Sequence, residues 1–320
     1  MKALIVTPAP EGSLTGNRWT ALRWAGILTR LQHRPEIVEE YRGQDCDLMI
    51  GLHATKSAPS IARFRGERPA APLVVVLTGT DLYRDLPTSE AARQSLEMAT
   101  RLVLLHRLGI EELEPKLHPK VRVILQSADP VRGTSPPAPD CFEICVLGHL
   151  RPVKDPFRTA EAVRLLPADS RVRVLHAGSA VQPDMETRAL DEQASNPRYR
   201  WLGPLQRDEA LRVLARSRLM AITSLTEGGA NVIGEAVVHG VPVISSRIAG
   251  SVGLLGADYP AYFPPGDTKA LADLIRRCES DRRLYEEIRE RCAGLVADFA
   301  PDRECEAWRQ LLGELFPSAG

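Results

Sequence analysis

The stretch "LMAITSLTEGGANVIGEAVVHGVPVISS", residues 219–246, carries the clearest indication of the chain's architecture. Two short apolar runs, "LMAITS" and "VPVISS", flank a segment of helix-forming residues. A glycine-containing turn separates the first run from a helix that we expect to begin near Ala230–Asn231. Gly240 stands where helices often end on a glycine. Strand, helix and strand in this order form the repeating unit of a parallel sheet.

The same alternation continues along the rest of the chain. Buried-strand patterns are found at 3–7, 48–52, 73–78, 102–105, 121–125, 142–148, 171–178 and 198–203. The proline-dense stretch "DPVRGTSPPAPD" (129–140) interrupts them and is typical of a linker. We therefore predict an α/β fold of two Rossmann-like, doubly wound domains facing each other across a cleft. The predicted domains are 1–135 and 140–300, with a C-terminal helix in 301–320 packing back on the first.

Composition excludes several classes of protein. Lys+Arg and Asp+Glu are both 41 in 320 residues, so no basic surface indicates a nucleic-acid partner. The apolar runs are much shorter than the roughly 20 residues that span a bilayer. The apolar start "MKALIVTPAP" is too short for a signal peptide and is typical of a buried strand, so we expect a cytoplasmic protein without stable membrane association.

Metal-binding patterns are weak in this sequence. The six cysteines show no zinc spacing and are expected to be ordinary thiols. Asp45 and Asp47 form one D-x-D triplet, a spacing that some sugar-nucleotide enzymes use for a divalent metal. The triplet precedes its strand, whereas open α/β sheets bind ligands at the carboxyl ends. We therefore expect neither a metal nor a cofactor.

Glu227 and Glu235 lie on either side of the predicted helix start. A helix N-terminus offers unpaired N–H groups and the positive end of a dipole, which together bind anions. Gly228 and Gly229 would let a phosphate approach, while carboxylates would accept hydrogen bonds from sugar hydroxyls. An alternative is that Asn231 caps the helix and Glu235 complements its dipole, which leaves Glu227 unexplained.

Two further loops follow predicted strands and open on the same sheet edge. "GHLRPVKDP" (148–156) carries Arg151 and Lys154, and "HAGSA" (176–180) carries Gly178, which would let the backbone approach a ligand. The alternative for the two cations is an ordinary solvated loop, because most surface cations are of that kind.

Residues 142–290 resemble the nucleotide-binding half of retaining, metal-independent GT-B glycosyltransferases. The matching motifs are "GHLRPVKDP", "HAG", "WLGPL", "EGGANVIGEAVVHGVPVIS" and "FPPGDTKALADLI". The resemblance implies that Glu227 binds hydroxyls of the donor sugar and that Glu235 binds the ribose diol. It also implies that Lys154 and the amides of Gly228, Gly229, Ala230 and Asn231 hold the diphosphate.

The motif departs from the family at one position. His149 stands where the family has an arginine after the glycine, and Arg151 is then expected to supply the missing charge. Lys154 and the helix N-terminus would stabilise the negative charge that develops on the departing diphosphate.

The first half of the chain is expected to bind the acceptor. "APEGSLTGNRWTALRW" (9–24) combines a glycine loop with a helix start, "LHATKS" (52–57) brings His53, and "TGTDLY" (78–83) follows a strand. The predicted acceptor residues are Asn17, Arg18, Arg23, His53, Thr78, Thr80 and Asp81, and Gly16 is assigned to the donor. A solvent-exposed arginine, a structural histidine and a turn cap at Thr80 or Asp81 explain the same residues equally well.

The combination "GSLTGNRWTALRW" with "VLTGTDLY" resembles the selenosugar synthases of selenoneine biosynthesis. That resemblance implies transfer of a sugar from a UDP-sugar, such as UDP-N-acetylglucosamine, to the selenium of selenophosphate, which pathway enzymes would supply. Because selenophosphate is already anionic and nucleophilic, a strong general base is less necessary. The alternatives are a hexosyltransferase acting on a hydroxyl of a sugar or lipid, with Asp81 or His53 as base, and a non-catalytic nucleotide-sugar sensor.

Overall fold

The computed structural model describes residues 1–13 and 15–317. The chain divides into two compact units. Unit 1 contains Met1–Ser127, Glu227–Gly229 and the chain from Ala300 onward. Unit 2 contains Ala128–Thr226 and Ala230–Phe299.

The strands and helices alternate as the apolar runs predict. The strands are β1 Lys2–Val6, β2 Arg34–Val38, β3 Leu48–Leu52, β4 Leu73–Leu77, β5 Arg101–Leu104, β6 Val121–Val123, β7 Phe142–Leu147, β8 Val172–Ala177, β9 Tyr199–Trp201, β10 Leu219–Ile222, β11 Val243–Ser246 and β12 Tyr262–Phe263. The α-helices are α1 Gly16–Arg30, α2 Ala58–Glu67, α3 Glu90–Met98, α4 Arg158–Arg164, α5 Pro183–Ser195, α6 Arg207–Ala215, α7 Asn231–Val238, α8 Ala249–Leu255, α9 Thr268–Ser280, α10 Arg282–Ala293 and α11 Pro301–Leu315.

Unit 1 is built on a six-stranded parallel sheet in the order β2-β1-β3-β4-β5-β6. Strands β3 and β4 are buried along their whole length, as expected for central strands covered by helices on both faces. One apolar cluster lies on each face of this sheet. The carboxyl ends of β3 and β4 therefore carry the loops that contain His53 and Asp81.

Helix α11 belongs to the core of unit 1. Its Trp308 packs edge-to-face on Trp24 of α1, with ring centroids 4.8 Å apart. The buried Glu304 carboxylate accepts the Trp24 indole N–H at 2.6 Å and both the amide and the hydroxyl of Ser127. This network ties the first and the last helix to the end of the first chain segment. Residues 318–320 of the predicted C-terminal helix lie outside the described residues.

Unit 2 is built on a second six-stranded parallel sheet, in the order β12-β11-β10-β7-β8-β9. Strand β10, helix α7 and strand β11 form the βαβ unit expected from residues 219–246. Gly240 has a φ of +68°, and such a positive φ is typical of the glycine that follows a helix. Both units thus have the α/β, Rossmann-like architecture that the sequence predicts.

Candidate functional site

The turn that carries Lys154 is fixed to the end of β10 by hydrogen bonds. The Thr223 hydroxyl donates to the carbonyls of Lys154 and Asp155 at 3.0 and 2.9 Å. The Leu225 amide donates to the carbonyl of Val153 at 2.9 Å. Because β10 leads into α7, these bonds bring Lys154 next to the loop that enters this helix.

The first turn of α7 carries no competing negative charge. The helix begins at Asn231, its first turn contains no acidic residue, and Ala230 at the cap position has no side-chain capping bond. Asn231 is therefore the first helical residue, and the alternative that it is the N-cap is wrong. Backbone N–H groups at such an end lack intrahelical partners and favour an anion.

Glu235 lies one turn into α7 and is buried, with 5% of its surface exposed. Its Oε1 forms an ion pair of 2.7 Å with Nη1 of Arg207. Arg207 is the first residue of α6 and was absent from the sequence-based site. No local pattern links two residues that are 28 positions apart, so only the fold reveals this pair.

The turn at Gly148 is held by a buried histidine. His176 Nε2 donates to the Gly148 carbonyl and Nδ1 accepts from the Tyr199 hydroxyl, both at 3.0 Å. Burial lowers the pKa of His176 to about 4, so the ring is neutral at physiological pH. His149, next along the chain, accepts the Ser179 amide at Nδ1. The two histidines fix the "GHLR" turn to the loop that follows β8.

Gly178 owes its identity to packing within unit 2. A Cβ at this position would lie 2.0 Å from the Gly148 carbonyl oxygen. Its own carbonyl accepts the Trp201 indole N–H at 2.9 Å. The close approach at Gly178 is thus to protein backbone, which explains the glycine without a ligand. Its contact with the donor stays a prediction.

The tripeptide Glu227–Gly229 clusters with unit 1. A Cβ at Gly228 would lie 2.4 Å from the backbone nitrogen of Gly79, and one at Gly229 would lie 2.5 Å from Cβ of Leu105. Both glycines are therefore required by close packing within this unit. This is a second reason for the "GG" pair besides the approach of a phosphate that the sequence suggested.

Arg18 and Arg23 occupy different places on α1. Arg18 lies in the first turn of a helix that begins at Gly16, and Arg23 follows five residues later. At 100° per residue their side chains leave the helix about 140° apart. The Arg23 guanidinium donates to the Ser127 carbonyl at 3.0 Å and pairs with Glu304 at 3.3 Å. The two side chains therefore leave α1 in different directions, and Arg23 belongs to the core network of unit 1. The assignment of both arginines to the acceptor stays a prediction. Asn17 lies beside Arg18 in the same turn.

Asp81 and His53 are buried at the carboxyl edge of the first sheet. The Asp81 carboxylate is inaccessible and accepts three backbone amides, those of Thr78, Gly79 and Ala54, at 2.8–2.9 Å. His53 is 2% exposed, and burial lowers its pKa. Asp81 thus acts as the turn cap that the sequence left open as an alternative. Thr78 and Thr80, in the same loop, are both half-buried.

Asp45 forms ion pairs with two cationic side chains, and Asp47 accepts a hydrogen bond from a backbone amide. Asp45 pairs with Lys2 at 2.7 Å and with Arg68 at 3.1 Å, and Asp47 accepts the Lys2 amide at 2.7 Å. Within residues 1–13 and 15–317 no group of three or more His, Cys, Asp or Glu side chains is placed to hold a metal ion. All six cysteines are free and buried. No helix in these two ranges is long and apolar enough to cross a membrane.

A family model described as "Glycosyl transferases group 1" matches residues 132–293, just over half of the chain. The chain belongs to this family. The match contains Lys154, Arg207 and Glu235, so these three residues lie inside the part of this group 1 glycosyltransferase that defines its family.

Curated relatives of this glycosyltransferase include two mycobacterial proteins named D-inositol 3-phosphate glycosyltransferase. The one from Mycolicibacterium smegmatis is 28% identical over 211 residues, covering 63% of this chain and 47% of the relative. The one from Mycobacterium sp. (strain JLS) is 28% identical over 234 residues, covering 71% and 50%. The chain thus spans about half the length of these relatives.

Solved structures of similar fold extend over the whole chain. Anabaena HepE, crystallised with UDP and glucose, is 16% identical, covers 98% of this chain and 100% of its own, and has a TM-score of 0.78. Sucrose-phosphate synthase from Thermosynechococcus elongatus is 16% identical, covers 99% of both chains and has a TM-score of 0.77. These likenesses show the GT-B fold of two Rossmann-like units.

Proposed function

We propose that this glycosyltransferase transfers a sugar from a UDP-sugar, UDP-N-acetylglucosamine in the first instance, to the selenium of selenophosphate. The bond from the anomeric carbon to the UDP oxygen breaks as the carbon–selenium bond forms. Water then cleaves the phosphorus–selenium bond. The products are a 1-selenosugar, UDP and phosphate.

The observation that carries the donor half of the proposal is the attachment of the Lys154 turn to the end of β10. It fixes the backbone of Lys154 to the strand that leads into α7, and we propose that the ammonium group reaches the start of this helix, where backbone N–H groups favour an anion. Together they would stabilise the charge that develops on UDP as the sugar leaves. Arg151, three residues before Lys154, is proposed to add charge in place of the family's usual arginine.

The separate roles proposed for the two carboxylates rest on the resemblance to GT-B glycosyltransferases and agree with the hydrogen-bonding capacity of carboxylates. Ionised carboxylates accept hydrogen bonds and do not donate them, so they suit sugar hydroxyls rather than phosphate. We assign the ribose diol to Glu235 and the donor sugar to Glu227. Because metal ligands are not required by this scheme, the reaction is proposed to be metal-independent.

The state of Asp81 and His53 favours an acceptor that needs no general base. A hydroxyl acceptor would need one of them to accept a proton. Asp81 already accepts three backbone amides, and the buried His53 has a lowered pKa. Selenophosphate carries its own negative charge. The curated relatives are named for a phosphorylated acceptor, D-inositol 3-phosphate, so an anionic acceptor has a parallel among proteins of similar sequence.

A mass-spectrometric assay tests the proposal directly. Purified protein is incubated, either in EDTA or with added Mg²⁺ or Mn²⁺, with UDP-N-acetylglucosamine or UDP-glucose, and with selenophosphate or a panel of sugar and lipid hydroxyl acceptors. We expect a selenosugar, UDP and phosphate in equal amounts with selenophosphate. Glu227→Ala should abolish the product, whereas Glu186→Ala, on the exposed face of α5, should not.

Three other outcomes of the assay would each contradict the proposal. UDP release with hydroxyl acceptors alone identifies an ordinary hexosyltransferase. Binding of UDP-sugar without UDP release under any condition identifies a sensor. A strict need for added metal contradicts the metal-free scheme and makes Asp45 and Asp47 the candidate metal ligands.

A further inference from the structure

Arg207, which forms a largely buried ion pair with Glu235, has no role in the function proposed above. The Glu235 side chain is 6% exposed and that of Arg207 is 26% exposed. A carboxylate removed from water is costly unless a cation and hydrogen bonds compensate its charge. Arg207 supplies that charge: its Nη1 lies 2.7 Å from Oε1 of Glu235.

Arg207 occupies a position that is unfavourable for an arginine in itself. It is the first residue of α6, where the positive end of the helix dipole repels a cation. The start of α6 is fixed by a capping box in which Gln206 and Glu209 exchange hydrogen bonds with each other's backbone. The guanidinium is therefore delivered to Glu235 from a rigid helix start, and the pair with Glu235 offsets the unfavourable dipole.

We propose that Arg207 is a positioning residue for recognition of the nucleotide ribose. By holding Oε1, it fixes the rotamer of Glu235 and leaves Oε2 and the remaining lone pairs to accept the two ribose hydroxyls. A carboxylate has about four acceptor sites, of which the arginine takes one. This inference rests on the proposed function, because it requires a ribose-containing donor bound to Glu235.

The inference predicts a specific loss of discrimination between UDP and 2′-deoxy-UDP. Each affinity is measured by isothermal titration calorimetry on the full chain. The wild-type protein should bind UDP about tenfold more tightly than 2′-deoxy-UDP, as expected for one hydrogen bond to a charged group. Arg207→Leu should bind UDP about tenfold more weakly and bring that ratio close to one. Arg207→Lys should restore part of the ratio.

Matched variants separate positioning from folding. Glu235→Gln should lose the same discrimination, and the double variant should be no worse than either single variant, because the two residues act as a unit. Arg212→Leu, on the exposed part of the same helix, should leave both affinities unchanged. Should Arg207→Leu fail to fold, the ratio of the UDP and 2′-deoxy-UDP affinities is measured in Arg207→Gln and Arg207→Lys instead.

The outcomes distinguish this inference from the function on which it rests. Full discrimination in folded Arg207 variants overturns the positioning role while UDP binding stands. Failure of the wild-type protein to bind UDP removes the proposed donor instead. A large effect of Arg207→Leu on UDP and 2′-deoxy-UDP alike, with the ratio unchanged, shows a merely structural role and also overturns the inference.

Discussion

Lys154 is held in place by its backbone, whereas its side chain carries the charge that the proposed reaction needs. The next residue, Asp155, adopts a left-handed conformation with φ of +44°, which is uncommon for a residue with a Cβ. Its carboxylate pairs with Arg158 at 2.7 Å, and its carbonyl accepts the Thr223 hydroxyl. These bonds offset the strain of the Asp155 backbone and fix the position of the neighbouring Lys154 backbone.

Replacing Lys154 by alanine should lower turnover about a hundredfold, because the proposed mechanism uses its ammonium group to stabilise the leaving diphosphate. The Michaelis constant for the UDP-sugar should change far less than kcat. Steady-state assays of UDP release measure both quantities. Lys269→Ala, an exposed lysine of unit 2 in helix α9, is the control and should behave as the wild type. A Lys154→Ala enzyme with near-normal kcat would remove this residue from leaving-group stabilisation.

Glycines inside helices behave differently according to what surrounds them. Gly234 lies in α7, where a Cβ would meet the ring of Phe299 at 2.7 Å. Gly26 in α1 and Gly313 in α11 lie toward solvent, and a Cβ added to either would meet no other part of the described chain within 4 Å. The same substitution should therefore have opposite effects in these helices.

Gly26→Ala and Gly313→Ala should each stabilise the fold by about 0.5–1 kcal/mol, since alanine is the better helix former. Gly234→Ala should destabilise it by about 1–3 kcal/mol through overpacking against a rigid ring. Urea unfolding with a common m-value measures all three. Equal effects of the three substitutions would show that helix propensity, and not packing at Phe299, governs this position.

Sequence patterns predicted elements with strong apolar periodicity and missed those without it. The runs at 3–7, 48–52 and 73–78 became β1, β3 and β4 because burial on both faces requires continuous apolar residues. Strand β2, "RPEIV", escaped notice because it is a polar edge strand that pairs only with β1 among the described strands.

The candidate site shows the same division between local and distant information. Glu235 and Lys154 stand out through spacing and neighbours within about ten residues. The Arg207–Glu235 pair and the bonds from Thr223 to the Lys154 turn join residues 28 and 69 positions apart, which no local pattern encodes. The ion pair between Arg23 and Glu304 could not be predicted for the same reason, because Glu304 lies almost at the other end of the chain.

The protein as a whole should lose stability in mild acid because burial lowers the pKa of several histidines, among them His53 and His106 in unit 1 and His176 in unit 2. Burial lowers the pKa of His106 in unit 1 and of His176 in unit 2 to about 4, from an ordinary 6.5. Such a histidine does not lower the free energy of unfolding above about pH 6.5, where it is neutral in both states. As the pH falls from 6.5 toward 4, the unfolded state binds a proton that the folded state does not, and the free energy of unfolding decreases. Each should cost about 1 kcal/mol of unfolding free energy between pH 7.5 and 5.5.

Urea unfolding at the two pH values measures this loss. His176→Gln, which retains a donor and an acceptor, should remove the contribution of His176, about 1 kcal/mol, from the loss between the two pH values. His118→Gln, in the turn that precedes β6, is the control and should leave it unchanged. A pH dependence that His176→Gln does not alter would assign the acid sensitivity to other groups.

The place of Glu304 on α11 has a consequence for the order in which the chain can fold on the ribosome. Ser127 and Glu304 are bonded although 177 residues separate them. At a synthesis rate of about 5–20 residues per second, Ser127 waits roughly 9–35 s and Trp24 roughly 14–56 s for Glu304. Unit 2 lies entirely within that interval and can fold first. The N-terminal segment therefore emerges early, yet it must remain incomplete, with an apolar helix face uncovered, until translation is almost finished.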